Sequence, residues 1–345
     1  MTLPLPLRFR GAPGSPYSRK MLALLRYRHL PYEFLVADNA ENRALPTPKV
    51  QLLPTFFLPN SAGELEAVVD STPLIRRFEA EFAERRAVPE QPALAYLDYL
   101  IEDYADEWLT KAMFHYRWYY QDDIDKAGSI LPLWREPSMP PDVHAERARW
   151  IADRQIGRLY VVGSNDTTAP VIEDSYRRFL AVFDRLLQRQ PFVMGQRPGA
   201  SDFGIYAQLT QLAKFDPTPA AICLAEAPRV HAWTDLVDDL SGWPAEASAW
   251  LAVDQAGEVL GDLLAEIGRV YTPALLANAE ALMAGRETME TTIDGRPWVQ
   301  PAFPYQGKCL QWLRQGFAAL GAADQAAVRG IVAGSGCEPL LEQPS

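Results

Sequence analysis

The spacing of hydrophobic residues changes once along this chain, near Ala87, and that change limits the folds open to it. Before it, short apolar runs alternate with helical patterns. Residues 5–10 read as a strand, and Gly11-Ala-Pro-Gly14 is a turn cluster. Ser15 can cap the helix that follows, with Pro16 at its first position, where a missing N–H does no harm. Met21, Leu22, Leu24, Leu25 and Tyr27 make that helix largely apolar, as packing on a sheet requires. Residues 32–37 read as a second strand, and 38–51 as loop with one helical turn. Residues 55–58 and 64–69 read as two short strands around a hairpin-length turn, and 71–84 as a helix. The order is β-α-β, then β-β-α.

After Ala87, Val88-Pro-Glu-Gln-Pro92 reads as a linker and the period becomes helical. Leu94, Leu97, Leu100 or Ile101, Tyr104, Trp108 and Ala112 recur at steps of three and four. Asp98, Glu102, Asp103, Asp106 and Glu107 lie between them, and their acidic pairs are expected to form a solvated helix face. Further helices fit 141–162, 171–190, 200–214, 228–240 and 245–269. The last stretch reads as a helix over 272–284, a hairpin around Asp294-Gly295, and helices over 305–320 and 322–333. The 345 residues thus divide into 1–86, 92–245 and a remainder, 246–345.

Composition narrows the function classes. Lysine plus arginine number 33 against 44 aspartates plus glutamates, a net charge of −11. An acidic surface argues against nucleic acid and against anionic membranes as main partners. The three cysteines are far apart, without a CxxC, and four scattered histidines leave little for a metal site, so no metal is expected. No apolar run nears the roughly 18 residues that a membrane span needs, and residues 1–9 lack the pattern of a signal peptide. The expectation is a soluble, cytoplasmic protein. Asn165-Asp-Thr167 matches a glycosylation acceptor by chance on that reading, and Asp122-Asp-Ile-Asp125 lacks calcium-loop spacing.

Five motifs stand in order. They are Ser15-Pro-Tyr-Ser-Arg-Lys20, Leu53-Pro54-Thr55-Phe56, Asp70-Ser71, the Gly195 to Asp202 element that includes Pro198, and Pro228-Arg-Val230 with Trp233. Together they resemble the glutathione S-transferase superfamily, in the form of a serine-type, bacterial-like member with a long C-terminal extension. The resemblance covers roughly 5–245. It implies an α+β fold: a thioredoxin-like βαβ-ββα domain, an all-α domain of the glutathione-transferase type, and a C-terminal hairpin and helix extension. It also implies a homodimer and glutathione as co-substrate. The partner would be a hydrophobic electrophile to which glutathione transfers, as alkyl or aryl transferases do.

Such chemistry needs a thiolate. A free thiol has a pKa near 8.5, and lowering it by about two units takes roughly 2.7 kcal/mol. By resemblance, Ser15 donates its hydroxyl to the sulfur at a helix N-terminus. The plainer reading is that it only caps the helix, and Tyr17 and Ser18 are alternative donors. A serine here disfavours the mixed-disulfide chemistry of cysteine-type relatives. Leu53, ahead of a cis Pro54, would pair its backbone with the cysteinyl residue; a cis proline without a ligand is the other reading. The spacing before Pro54 departs from the usual pattern, which leaves Lys49 open as a ligand. Ser71 would hold the γ-glutamyl carboxylate and Asp70 its amino group, unless the pair is an ordinary cap. Tyr17, Tyr104, Trp108, Lys111 and His115 are the residues expected to line the acceptor pocket, against the reading of the aromatic stripe as core and of His115 as a satisfied histidine. Asp202 reads as structural, and Gly199 deprives its capping box of one side-chain hydrogen bond. The competing class is a non-catalytic protein that keeps the fold for binding or protein interaction.

Overall fold

The computed structural model describes residues 3–37 and 39–342. The chain termini that bear on the signal-peptide reading, Met1 and Thr2, and the loop residue Asp38 lie outside the described residues. The first unit runs β1 (Leu7–Arg10), α1 (Pro16–Tyr27), β2 (Tyr32–Leu35), α2 (Ala40–Arg43), β3 (Thr55–Pro59), β4 (Leu65–Val68) and α3 (Ser71–Glu81). The sheet order is β2-β1-β3-β4; β1 and β2 are parallel and the other pairs antiparallel. This is a thioredoxin-like sheet. Phe9 sits opposite both Phe34 and Phe56 in register and stacks on Phe56 at 4.5 Å between ring centroids. Burial of that face fixes the register, because a slip of one residue would turn every side chain to the other side.

The helical part begins with one long rod made of α4 (Pro92–Tyr104), a π-helical turn (Ala105–Leu109) and α5 (Thr110–Tyr119). Then come α6 (Gln121–Leu133), α7 (Pro141–Ile156), α8 (Ala169–Leu187), α9 (Ala200–Leu209), a second π-helical turn (Thr210–Phe215), α10 (Pro217–Glu226) and α11 (Pro228–Val237). The sequence pattern does not single out α6 or α10. Gly128 and Pro132 lie inside the first and Pro217 and Pro219 open the second, so local propensity speaks against both. Packing of α6 on α7 and of α10 on the second π turn overrides it.

The remainder holds α12 (Val253–Met283), the hairpin β5 (Thr288–Ile293) and β6 (Arg296–Pro301), α13 (Pro304–Ala318) and α14 (Ala322–Val332). The hairpin turn has positive φ at both Asp294 (52°) and Gly295 (73°), the type I′ geometry that matches strand twist. One expectation is corrected here. The pattern puts a break between residues 269 and 272, yet α12 runs unbroken through Pro273. Burial of Ile267, Val270, Tyr271 and Leu275 keeps it helical through a residue that costs about 3 kcal/mol inside a helix.

The extension is not a tail. A single buried cluster runs from Phe9 in the sheet through Leu97 and Tyr176 to Leu313 and Val332. α12, α13 and α14 all pack against α4, where Tyr96 meets Phe317 edge-on. No described helix is long and apolar enough to cross a membrane.

Candidate functional site

Strand register gathers three segments at one end of the sheet. Arg10 pairs with Thr55, so the turn after β1 lies beside the turn before β3. Phe56 pairs with Val68, so continuing that register by two residues brings Asp70 alongside Pro54. The three motifs are therefore neighbours because of sheet topology, though 55 residues separate Ser15 from Asp70.

At the first segment, Ser15 caps α1: its Oγ accepts the Ser18 N–H at 3.3 Å. Capping uses an oxygen lone pair and leaves the O–H free to donate. Ser18 Oγ likewise only accepts, from the Ala12 N–H, but it has no exposed surface and so is closed to a ligand. Tyr17 donates to the Asp106 carbonyl at 2.7 Å, which the π turn presents, and lies within reach of Thr110 Oγ1. Burial, reinforced by Glu107 and Asp106, holds its phenol well above the ordinary range. Gly14 is a close-approach position, since a Cβ there would stand 2.3 Å from Leu131 Cδ2. The Gly14 carbonyl accepts from Arg117, which also makes a two-pronged pair with buried Asp216 and donates to Gln211.

At the second segment, the Leu53–Pro54 bond is cis. Pro54 is buried and Leu53 half-buried. Among the described residues, neither the N–H nor the C=O of Leu53 makes a hydrogen bond. Lys49 is exposed. At the third, Asp70 stands at the N-terminus of α3 with φ of 80°, a conformation rare for a residue with a side chain. Ser71 is buried and its Oγ accepts from Lys20 Nζ at 3.3 Å. Asp70 Oδ2 accepts from Tyr305, a residue of the extension, at 2.7 Å.

The wall facing these segments corrects a second expectation. Asp98, Glu102, Asp103, Asp106 and Glu107 do not form a solvated face; all five are buried. Each has a reason to be there. Lys20, itself without exposed surface, reaches Glu102 at 2.7 Å and Asp106 at 2.5 Å. Burial alone would push its ammonium down, but the two carboxylates outweigh it and raise its pKa. Asp98 accepts from the N–H groups of Ala200 and Ser201 and from Ser201 Oγ. It thereby supplies the cap that Gly199 cannot, and a Cβ at Gly199 would collide with its Oδ1 at 2.4 Å. Asp202 completes the box by accepting from Gly199 and Val193. Asp103 accepts from Tyr271, and Glu107 from Gln306. Arg76, with 40% of its side chain still exposed, stacks over the Tyr99 ring.

Burial, with neighbouring carboxylates, pushes Glu107 up to about 8 and Asp103 up to about 7. Unfolded carboxyls titrate near 4, so these groups stay protonated only in the fold. Their stabilising share is complete below about pH 4 and is lost as pH rises towards 8. The thermal midpoint is therefore expected to fall between pH 5.5 and pH 8.5, and Glu107→Gln to shrink that fall; equal slopes in both proteins would contradict the assignment.

The residues expected around an acceptor pocket are placed differently. Tyr104, Trp108, Lys111 and His115 do share a stripe, but each is buried and faces interior partners. Tyr104 packs on Phe179 and Tyr271. Trp108 donates to Ser175 and lies against Trp298 of the hairpin. Lys111 donates to the Val162 carbonyl and to Gln300, and burial lowers it to about 8. His115 lies between Ser164 Oγ (2.8 Å) and Glu173 Oε1 (3.2 Å). That trio does not present a nucleophile, because the serine is buried while the carboxylate faces solvent. The expectation of an acceptor pocket on this stripe does not fit such burial: the hairpin and α8 cover it. Only Tyr17 of that set stands beside the sheet-end segments.

Sequence reasoning gave no role to Lys20 or Arg117 and placed Asp98 on a solvated face. A signal for Lys20 was present: it falls four residues before Leu24 on the apolar stripe of α1, where a lone cation needs a buried anion. Tyr305 belongs to a polar-aromatic cluster after the hairpin that reads as packing on the helical domain, ahead of a fold over the pocket mouth or a dimer interface; its partner, 235 positions away, is not legible in the sequence.

No curated protein matches this sequence. Among solved structures, a glutathione S-transferase from Methylobacterium radiotolerans in complex with glutathione sulfonate aligns at 18% identity, over 70% of this chain and 93% of its own, with a TM-score of 0.39. A glutathione transferase family member from Pseudomonas fluorescens with two glutathione bound aligns at 14% identity, over 71% and 93%, with a TM-score of 0.44. The Tau class glutathione S-transferase of mango aligns at 15% identity, over 74% and 97%, with a TM-score of 0.40. The model of the glutathione S-transferase N-terminal domain matches residues 9–86, from the second half of β1 through α3, with all three turns at the sheet end.

Proposed function

We propose that this protein binds glutathione at the sheet end and acts as a glutathione transferase. The observation that carries the reading is the backbone of Leu53, unpaired beside a cis proline, between a free serine hydroxyl and the N-terminus of α3. A peptide laid there pairs its cysteinyl backbone with Leu53 as an added strand would. Its γ-glutamyl carboxylate meets Ser71 and the first N–H groups of α3, which carry partial positive charge. Its α-ammonium meets Asp70. Its sulfur reaches Ser15, whose O–H stabilises the thiolate along with the N-terminus of α1. In the reaction, the thiol proton leaves to solvent and the thiolate forms a bond to an electrophilic carbon. The bond to the leaving group breaks with its electron pair. Alkyl or aryl transfer is the class; a hydrophobic electrophile as partner, a homodimeric assembly and a cytoplasmic location belong to the same reading.

Ser15→Ala is expected to lower kcat by about 100-fold with a generic aryl halide while glutathione still binds, the usual cost of one lost donor to a developing anion. Calorimetric titration with glutathione and steady-state turnover check both halves. Unchanged turnover would remove Ser15 from the chemistry. The non-catalytic reading is favoured by one observation, the burial of the stripe expected to line the acceptor pocket. Glutathione binding without turnover of any electrophile would select it.

A further inference from the structure

The extension reaches the sheet end at one corner, and its reach is built, not incidental. On α12, buried Asn278 holds the backbone of Phe303 from both sides, accepting its N–H at 2.7 Å and donating to its carbonyl at 3.0 Å. Pro304 then opens α13 at a position where no N–H is needed. Gln306 is fixed two residues further on by its bond to Glu107. Between these two anchors, Tyr305 projects to Asp70 and donates to its Oδ2. Burial, with Asp70 and Glu107 adding, holds the phenol far above its ordinary range, so it remains a neutral donor at any physiological pH.

A second feature shows what this corner lacks. Lys20 bridges Ser71 Oγ and Asp106 Oδ2, which places Asp106 on the α4 side of the Asp70–Ser71 corner. The other oxygen of that carboxylate, Oδ1, is buried and has no hydrogen-bond partner among the described residues. Two carboxylates therefore border the corner, while among the described residues the only side-chain donor to Asp70 is one uncharged O–H. A buried carboxylate oxygen without a partner is costly, and a ligand with several charged N–H donors would satisfy what a phenol cannot.

We propose that Tyr305 occupies the subsite for a ligand's α-ammonium group, so that the C-terminal extension is an internal competitor which glutathione must displace from Asp70. This rests on the glutathione reading above and adds regulation of the same site. An ammonium brings three donors and a full charge to Asp70, and charge-assisted bonds are about twice as strong as neutral ones. Displacement needs only the aromatic side chain to swing away, because the Asn278 and Gln306 anchors hold the backbone on either side.

The test compares glutathione with its N-acetyl derivative, which has no ammonium, on the full chain. Calorimetry is run on the unaltered protein, Tyr305→Phe and Asp70→Asn, with amide hydrogen exchange over residues 303–312. Tyr305→Phe keeps the ring packed and removes only the donor. It is expected to bind glutathione about tenfold tighter, the effect of one hydrogen bond to a charged group, and to gain less than twofold for the N-acetyl derivative. Glutathione is expected to leave exchange at 303–312 unchanged in the unaltered protein, because the backbone stays anchored; faster exchange there would overturn a displacement confined to the Tyr305 side chain. Equal or weaker glutathione binding by Tyr305→Phe, with binding by the unaltered protein intact, overturns the competition and leaves the glutathione reading standing. An equal gain for both ligands overturns the ammonium assignment. No binding by any of the three proteins overturns the glutathione reading and the competition with it.

Discussion

Replacing Lys20 with methionine is expected to destabilise the protein by about 3–5 kcal/mol, the range seen when one partner of a buried ion pair is removed. The ammonium lies in the fully enclosed space between α1, α3 and α4, against Glu102, Asp106 and Ser71. Methionine fills a similar volume, so little of the loss would come from a cavity. What remains is two carboxylates with no cation between them. Thr72 still donates to Glu102, and Arg76 stands 3.7 Å from its other oxygen, which is why the cost stays within that range. Chemical denaturation measures it. Adding Glu102→Gln and Asp106→Asn to Lys20→Met is expected to recover much of the loss, because the uncompensated charges go with the cation. A loss below about 1 kcal/mol for the single substitution would mean that the carboxylates are already neutral without Lys20.

Arg117→Met is expected to cost a similar amount, about 3–5 kcal/mol, and to reach the site more directly. It strips buried Asp216 of all three hydrogen bonds from the guanidinium and Gln211 of its donor. It also releases the Gly14 carbonyl, which adjoins the Ser15 peptide. Arg117→Lys is expected to recover only part, since an ammonium cannot supply the planar fork that meets Asp216 twice while a third donor reaches Gly14. Denaturation midpoints give the stability. The affinity for glutathione and the turnover of an electrophile show whether the turn that carries Ser15 has loosened. Full recovery of stability by lysine would show that charge alone, without the fork geometry, holds the turn.

The two substitutions share a feature with the parts of the site that sequence could not reveal. The turn after β1, the cis proline, the cap of α3 and the Asp294-Gly295 hairpin all depend on residues within a few positions of one another. Their chemistry is local, so Ser15-Pro16, Leu53-Pro54 and Asp70-Ser71 announce themselves in order. The acidic stripe of α4 misleads for the opposite reason. A carboxylate every three or four residues looks solvated until its partners are known. Those partners are Lys20, 82 positions from Glu102, Ser201, 103 positions from Asp98, and Tyr271, 168 positions from Asp103. The aromatic stripe on the same rod misleads likewise. Trp108 and Lys111 could line a cleft or a core, and it is the hairpin, by laying Trp298 and Gln300 against them, that makes them core.

By itself the sequence determined the β-α-β, β-β-α order of the first unit, the three turns at the sheet end and the Asp294-Gly295 hairpin. Capping, proline geometry and periodicity act over short spans and need no knowledge of the rest of the chain. Only the tertiary structure decided which charges are buried, which stripe is closed, and that Tyr305 meets Asp70. Those outcomes depend on pairing across long chain separations, where a buried charge is tolerated only if a partner arrives to meet it.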